Sequence, residues 1–423
     1  MFEPMGPSGG GPLPDRGRRR NALNALVTLA GAAGLALGGW ALYDAFQSHQ
    51  DRAASRELIG SSCAGLVDGD PVLRLRGGVD RLRLADRAEN TIDFVSLPDN
   101  CDFQEVVDGK KYGDRHFALT VRVLPAGPPD NVLETTGRSP FPAPSETPDG
   151  DVTARTDVAM RLPLRADAAL GDYGGRDVTV TAPCATPLPE TGATAVRARA
   201  WIGDPQATDT DRRALGRIAR TAALRLAARL GCTTHLPELP GTTLRAQGTD
   251  LGRAEDRHEN DACGWYSALL RTTDRGNLPD RALGTPTGGR GTQETCLLAV
   301  SPAEAERIYA RKPSGDWRYV ELHNVQTRDP WWLETRSFYG DDGASVGIDA
   351  GRLPTPVVTG DAGRRGALTY ATATCQGRPA VFTLTADRTY DGRVLGERGT
   401  ELFKAYVADA TARHGCTGVT LPQ

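Results

Sequence analysis

Hydrophobic and polar positions follow three different periods along this chain, and each period predicts a different element. Residues 22–43, ALNALVTLAGAAGLALGGWALY, form an apolar run without a single charge. As a helix they reach roughly 33 Å, enough for a hydrocarbon core of about 30 Å. Strict alternation in Val196-Arg-Ala-Arg-Ala marks a strand with one buried face. Around it, Asp177–Ala182 and Thr194–Ile202 read as two strands about a Pro-rich turn, and Ala367–Thr374 with Ala380–Ala386 repeat the arrangement. A 3.6-residue period then sets in twice. Leu215, Ile218, Ala222 and Leu226 line one face of a helix over about 210–230; Leu402, Tyr406 and Ala410 do so over about 398–414. Gly231 and Gly415 stand where a helix C-terminal glycine belongs.

The eight cysteines extend this doubling. Cys63, Cys101, Cys184 and Cys232 are spaced by 38, 83 and 48 residues; Cys263, Cys296, Cys375 and Cys416 by 33, 79 and 41. Arg161-Leu162-Pro163 precedes Cys184 by the same interval that Arg352-Leu353-Pro354 precedes Cys375. Within that window Gly175 matches Gly366, and Thr181-Ala182 matches Thr372-Ala373. Leu133-Glu134-Thr135 finds a counterpart in Leu333-Glu334-Thr335, and Gly-Cys-Thr closes each copy. A tandem duplication accounts for these matches. Eight cysteines admit on the order of 100 pairings, but pairing within each copy leaves about three for each set of four. The favoured set is Cys63–Cys101, Cys184–Cys232, Cys263–Cys296 and Cys375–Cys416, of which the second and fourth would tie each sheet to the end of its helix.

The basic cluster Arg16, Arg18, Arg19 and Arg20 lies just before the apolar run, and Asp44 follows it. By the positive-inside bias the N-terminus is cytoplasmic and the rest lies outside, with Trp40 and Tyr43 at the outer interface. A cleavable signal peptide calls for an apolar core of roughly 7–15 residues and a small-residue cleavage site. This run is longer, and Leu37 to Gln47 offers no A-x-A site, so an uncleaved anchor is expected. Ala30, Gly34 and Gly38 recur at helical spacing and offer a face on which a second copy can pack closely. An extracytoplasmic location also suits paired cysteines, since that compartment oxidises thiols.

Composition narrows the chemistry. The 423 residues carry 50 basic and 53 acidic side chains, a net charge of −3, and only four of the basic residues are lysine. A mildly acidic body argues against nucleic acid as a partner. The chain has no HExxH, P-loop, dinucleotide fingerprint or EF-hand loop. No CxxC occurs, and His49, His116, His235, His258, His323 and His414 show no metal spacing. No catalytic, metal or cofactor residue is therefore assigned. The matched Glu134 and Glu334 read as structural acids shared by both copies, with carboxylate chemistry as the rival. Trp331-Trp332, near Phe338 and Tyr339, is the densest aromatic patch and the candidate ligand contact, whereas the first copy has Asn131-Val132 at that place.

In plan the chain resembles membrane-anchored extracytoplasmic proteins of actinobacteria: an arginine-rich tail, one anchor, then paired-cysteine domains. That resemblance implies sensor or ligand-binding modules and carries over no catalytic residues. The expected architecture is α+β. One N-terminal transmembrane helix precedes two tandem, divergent domains, each a mostly antiparallel sheet under a C-terminal helix with two disulfides. The expected boundaries are a basic tail at 1–21, a span at 22–43, a stalk at 44–60, domain 1 at 61–238, a linker at 239–256 and domain 2 at 257–423. Residues 126–152, rich in Pro and Gly, are expected to be a long mobile loop. The expected role is a non-enzymatic envelope protein that binds an extracytoplasmic ligand or partner, with an envelope hydrolase or a scaffold subunit as rivals.

Overall fold

The computed structural model describes residues 16–423 apart from 86–90, 108, 111–112, 126–128, 144–150, 159, 166–169, 204–206, 242, 288–292, 312–319, 350 and 352. Most of the basic tail and Arg352 thus lie outside the described residues.

Helix α1 (Arg16–Ser62) is one 47-residue element. Residues 23–43 are exposed throughout, and from Leu23 onward this is the one described helix long and apolar enough to cross a membrane. The stalk expected at 44–60 is replaced by the same helix running on unbroken into the body of the protein. Ser48 and Arg52 both bond the Asp80 carboxylate. Ser55 Oγ donates to the Asp80 carbonyl at 2.9 Å and accepts from the Leu82 amide at 3.0 Å. Ser55, Ile59 and Ser62 are buried at i, i+4 and i+7, so a segment that is polar on average still holds one packing stripe. Helix α2 (Gly69–Leu73) lies against this stretch so closely that a β-carbon at Gly69 would sit 2.7 Å from the Arg56 Cα.

Two antiparallel sheets follow. The first holds β1 (Leu82–Leu84), β2 (Asp99–Glu105), β3 (Arg115–Leu124), β5 (Leu162–Pro163), β6 (Gly171–Tyr173), β7 (Asp177–Pro183) and β8 (Ala195–Trp201), in the order β1-β2-β3-β8-β7-β6-β5. Between β3 and β5, β4 (Asn131–Leu133) leaves that sheet. Helix α3 (Asp209–Arg229) then covers β7 and β8; Thr208 caps it, its side chain accepting from the Asp211 amide.

The second sheet opens with β9 (Gly252–Arg253), within the segment expected to be linker, and helix α4 (Gly264–Thr272). Then come β10 (Arg281–Gly284), β11 (Gln293–Ala299), helices α5 (Pro302–Ala310) and α6 (Leu322–Thr327), β12 (Trp332–Tyr339) and helix α7 (Asp341–Ala344). Strands β13 (Val346–Ile348) and β14 (Thr355–Pro356) pair with each other, and β4 joins β13 in parallel to make a third, small sheet. The remaining elements are β15 (Gly363–Arg365), β16 (Leu368–Cys375), β17 (Arg378–Ala386), helix α8 (Glu397–His414) and β18 (Cys416–Thr420). The order is β15-β16-β17-β12-β11-β10-β9, with β18 on β16.

The paths β1-β2-β3-β8-β7-β6 and β10-β11-β12-β17-β16-β15 are the same path, each continued by a covering helix. Their registers agree as well. Cys101 faces Leu119, which faces Ala200, which faces Val178. Cys296 faces Thr335, which faces Leu384, which faces Thr369. Val178 and Thr369 are thereby placed in correspondence with the same offset that relates Cys184 to Cys375.

This register corrects two of the matches made on sequence. Leu133-Glu134-Thr135 begins in β4, whereas Leu333-Glu334-Thr335 lies in β12, whose counterpart is β3. The residues answering Trp332, Glu334 and Arg336 are His116, Ala118 and Thr120. Leu162-Pro163 pairs with β6, but Leu353-Pro354 leads into β14 of the small sheet. Three-residue identities in a chain biased toward Leu, Arg and Thr arise without common position.

Each sheet buries alternate residues beneath its helices. Val178, Val180, Val196 and Ala198 join Leu215, Ile218 and Leu226 in one core; Leu333, Ala371, Phe382 and Leu384 join Leu402, Phe403 and Tyr406 in the other. Four disulfides are formed: Cys63–Cys101, Cys184–Cys232, Cys263–Cys296 and Cys375–Cys416. The second and fourth fasten β7 and β16 to the chain just after α3 and α8. Gly231 and Gly415 take φ of 73° and 59° at those helix ends, the left-handed turn that glycine tolerates best.

Candidate functional site

The faces of the two sheets that carry no helix are where polar side chains collect. On the first sheet these are alternate residues: Arg122 on β3, Asp177, Thr179 and Thr181 on β7, and Arg197 and Arg199 on β8. Arg161 reaches across them, bonding Asp172 at 2.8 Å, Asp177 at 2.7 Å and the Thr179 hydroxyl at 2.9 Å. Arg199 Nε adds a second bond to Asp177 at 2.8 Å. Burial pushes the Asp177 carboxyl up, but Arg161 and Arg199 outweigh it and hold it below the usual range. Arg197, also buried, donates to Asp130 at 2.8 Å and to Asp342 at 2.6 Å, while Arg122 meets Asp130 from the other side at 2.8 Å. Asp342 belongs to α7, so this network stitches the first sheet to the second.

The segment after β3 crosses between the halves. Asp130 and Asn131 donate backbone bonds to the Ser345 carbonyl, Asp349 donates to Leu133, and Ala367 donates to Thr135. Leu133 packs with Phe338, Val346, Ile348 and Val381. Farther on, Phe141 and Met160 pack on Leu283, Leu297 and Trp332. The described part of the expected mobile loop is therefore fastened onto the second sheet.

Beneath this crossing segment lies a cavity of about 250 Å³. Its floor is the helix-free face of the second sheet: Trp332, Glu334 and Arg336 on β12, Thr383 and Thr385 on β17. Its roof is Val132, Leu133, Glu134 and Gly137 to Pro140, with Val158. A second cavity of about 210 Å³ adjoins it, sharing Val132, Leu133 and Arg336 and continuing to Arg161, Arg197 and Arg199.

Arg336 stands where the two cavities meet. Its Nε donates to Oε1 of Glu334, which is 6% exposed. The Arg336 side chain keeps 40% of its exposure, and its two terminal nitrogens carry no hydrogen bond among the described residues. The neighbouring Glu334 is the main reason its guanidinium is held above the usual range, with burial opposing; nearby Arg161 lowers it and Glu134 raises it. Glu134 and Arg138 are exposed at the roof, and neither makes a hydrogen bond or ion pair among the described residues. The site thus combines one fixed carboxylate, one open guanidinium, two threonine hydroxyls on the floor, an indole wall and two unengaged rim charges of opposite sign. It can hold a small polar molecule by charge and hydrogen bonding.

The tryptophan pair expected to contact a ligand is divided. Trp331 is fully buried and stacks on Tyr390, ring centroids 5.6 Å apart; it is core, because the strand sends it to the helix side. Trp332, 3% exposed, faces the other way and forms a cavity wall. Ala30, Gly34 and Gly38 are exposed, with nothing within 4 Å of a β-carbon at either glycine. Arg336, Thr383, Thr385 and Arg138 were missed on sequence. The signal available was the alternation Trp332-x-Glu334-x-Arg336, which puts charges on one face of a central strand.

Among the described residues no group of three or more His, Cys, Asp and Glu side chains is arranged to hold a metal. Outside the cavities, Glu294 centres another polar cluster, accepting from Arg413 at 3.0 Å and bonded to His414 at 2.9 Å. It joins β11 to the end of α8. Comparison with known proteins finds no matching family model, curated protein or solved structure.

Proposed function

We propose that this chain is a single-pass membrane protein of the cell envelope, N-terminus cytoplasmic, whose two tandem domains hold a small ligand outside the membrane without transforming it. The exposed apolar helix and the four disulfides favour that address. The common strand path and register of the two halves favour a duplicated module. The observation that carries the binding role is the cavity between the second sheet and the crossing segment, with Arg336 open at its floor. Pockets with a few convergent polar groups on a rigid sheet are the ordinary form of a ligand site.

A membrane-derived small-molecule extract tests the reading. The full chain in lipid nanodiscs is expected to unfold at higher temperature in that extract. Thr385→Trp, which fills the cavity from a half-buried position, is expected to abolish the response. An extract that shifts neither protein, or both equally, overturns the reading. The hydrolase reading retains one point in its favour, since Glu134 and Glu334 line the same cavity. Recovery of the bound molecule chemically changed, and unchanged from Glu134→Gln, would decide for it.

A further inference from the structure

The polar groups left unengaged in the cavity specify what fills it, and the argument rests on the ligand-binding reading above. Four features act together. Arg336 presents two terminal nitrogens with no partner among the described residues, while its Nε is fixed by Glu334. A guanidinium held at one end and open at the other is preorganised to receive a carboxylate through paired N–H bonds. The hydroxyl of Thr385, which makes no hydrogen bond among the described residues, lines the same floor from β17, where Thr385 faces Glu334. Opposite, Glu134 at the roof is an unpaired carboxylate suited to an ammonium group. Between them the walls are apolar: Trp332, Val132, Leu133, Pro140 and Val158.

Charge decides between ligand types. Glu334 and Arg336 neutralise each other, and Glu134 balances Arg138 at the rim. A simple anion would face Glu134 and Glu334; a simple cation would face Arg336 and Arg138. A molecule with both charges meets an opposite charge at each end. Size agrees: about 250 Å³ is below the roughly 300–1,000 Å³ typical of drug-sized ligand sites, so the occupant is small.

We propose that the cavity binds a small zwitterion with an apolar body, its carboxylate on Arg336 and its ammonium on Glu134, as in a free apolar amino acid or the end of a short peptide. The counterpart positions in the first half, Ala118 and Thr120, carry no charge and do not repeat the pair.

Titration calorimetry on the full chain in nanodiscs tests this with four probes: L-leucine, leucyl-leucine, 4-methylpentanoate and isopentylamine. Leucine or leucyl-leucine is expected to bind, and the tighter of the two identifies a free amino acid or a peptide end. The acid without an ammonium group and the amine without a carboxylate are each expected to bind roughly tenfold or more weakly. Arg336→Gln is expected to lose about tenfold for leucine. Because that change also strips Glu334 of its partner, Glu134→Gln serves as the second variant. It lies on the exposed roof and is expected to weaken leucine while leaving 4-methylpentanoate equal or tighter, since the acid then meets one carboxylate fewer. Equal binding of all four probes, or leucine binding indifferent to Glu134→Gln, overturns the proposal. If no probe binds but the envelope extract still stabilises the chain, the zwitterion falls and the binding role stands; if neither acts, both fall.

Discussion

Position for position, Ala118 and Thr120 on β3 answer Glu334 and Arg336 on β12, while Arg199 on β8 answers Thr383 on β17. The first half carries Arg122 on β3 and Arg197 and Arg199 on β8, with Arg161 beside them, and closes them with Asp172, Asp177 and Asp130. The second half carries one arginine on its central strand and leaves two of that arginine's nitrogens open. Equal backbones thus present unequal faces. A charge network with every member engaged fixes one arrangement of the chain; one with an open member retains capacity for a ligand. On the proposed reading, this division puts rigidity in the first half and ligand recognition in the second.

The largest effect is expected at the join. Arg197→Ala removes a buried partner of Asp342, whose side chain is 2% exposed, and a partner that Asp130 shares with Arg122. Breaking a buried pair by deleting one member costs about 3–5 kcal/mol, because a charge is left without compensation. Denaturant unfolding of the full chain should show that loss, and hydrogen exchange should place it at β4 and β13. A cost under about 1 kcal/mol would mean the halves are not locked together through this residue.

Next come the staples. Replacing the Cys184–Cys232 pair by alanines opens a loop of 48 residues, and replacing Cys375–Cys416 opens one of 41. Chain entropy assigns each bond up to about 4 kcal/mol, nearly equal because the cost grows only with the logarithm of length. Equal destabilisation in the two halves, read by thermal unfolding, supports equivalence of the two modules. A difference above roughly 2 kcal/mol would show that the halves use these bonds differently.

A smaller effect separates the two glutamates that the sequence equates. Glu334 is buried and bonded to Arg336; Glu134 is exposed and makes no hydrogen bond among the described residues. Glu334→Gln is expected to cost about 1–3 kcal/mol, Glu134→Gln under about 0.5 kcal/mol. Matching costs, measured by denaturant unfolding, would restore the positional equivalence that the register denies.

Much of the fold is legible before any coordinates. Period-2 runs at β7, β8, β16 and β17, the two amphipathic helices and their closing glycines follow from local patterning, which is strongest where one face is fully buried. What escapes is whatever depends on distant partners. The helical continuation past Tyr43 rests on three small stripe positions, Ser55, Ile59 and Ser62, among charged neighbours, and average polarity hides them. Strand β4 is set by pairing with Val346–Ile348, more than 200 residues away, so no local rule detects it. The cavity escapes for the same reason: Glu134 and Glu334 do share a site, not as copies but as roof and floor. Trp331 and Trp332 show the limit in miniature, since alternation says that one is core and the other is not, but only the sheet's packing says which.

The smallest effect concerns acid. His116 lies buried in the first half, its Nε2 bonded to the Val72 carbonyl at 2.9 Å. Burial pushes the imidazole below its usual 6.5; the Val72 carbonyl opposes this, Arg76 adds to it, and Glu105 and Asp211 oppose it. The unfolded chain therefore takes up a proton below about pH 6.5 that the folded state refuses. More protons on the unfolded side means stability falls as pH falls, by up to about 1.4 kcal/mol per pH unit. In the second half the buried titratable group to compare is Glu294, at a different position. Burial pushes its carboxyl up, but the His414 hydrogen bond and Arg413 outweigh that and hold it below 4.5. Its contribution is present above about pH 4.5 and is lost only as pH falls further. Between pH 6.5 and 5, amides of β3 and α2 should therefore lose exchange protection while those of β11 and α8 keep theirs. His116→Gln, which retains a donor toward Val72, should flatten the first-half slope and leave the second unchanged. Parallel loss in both halves over that range would show that acid acts on the join between them and not on either core.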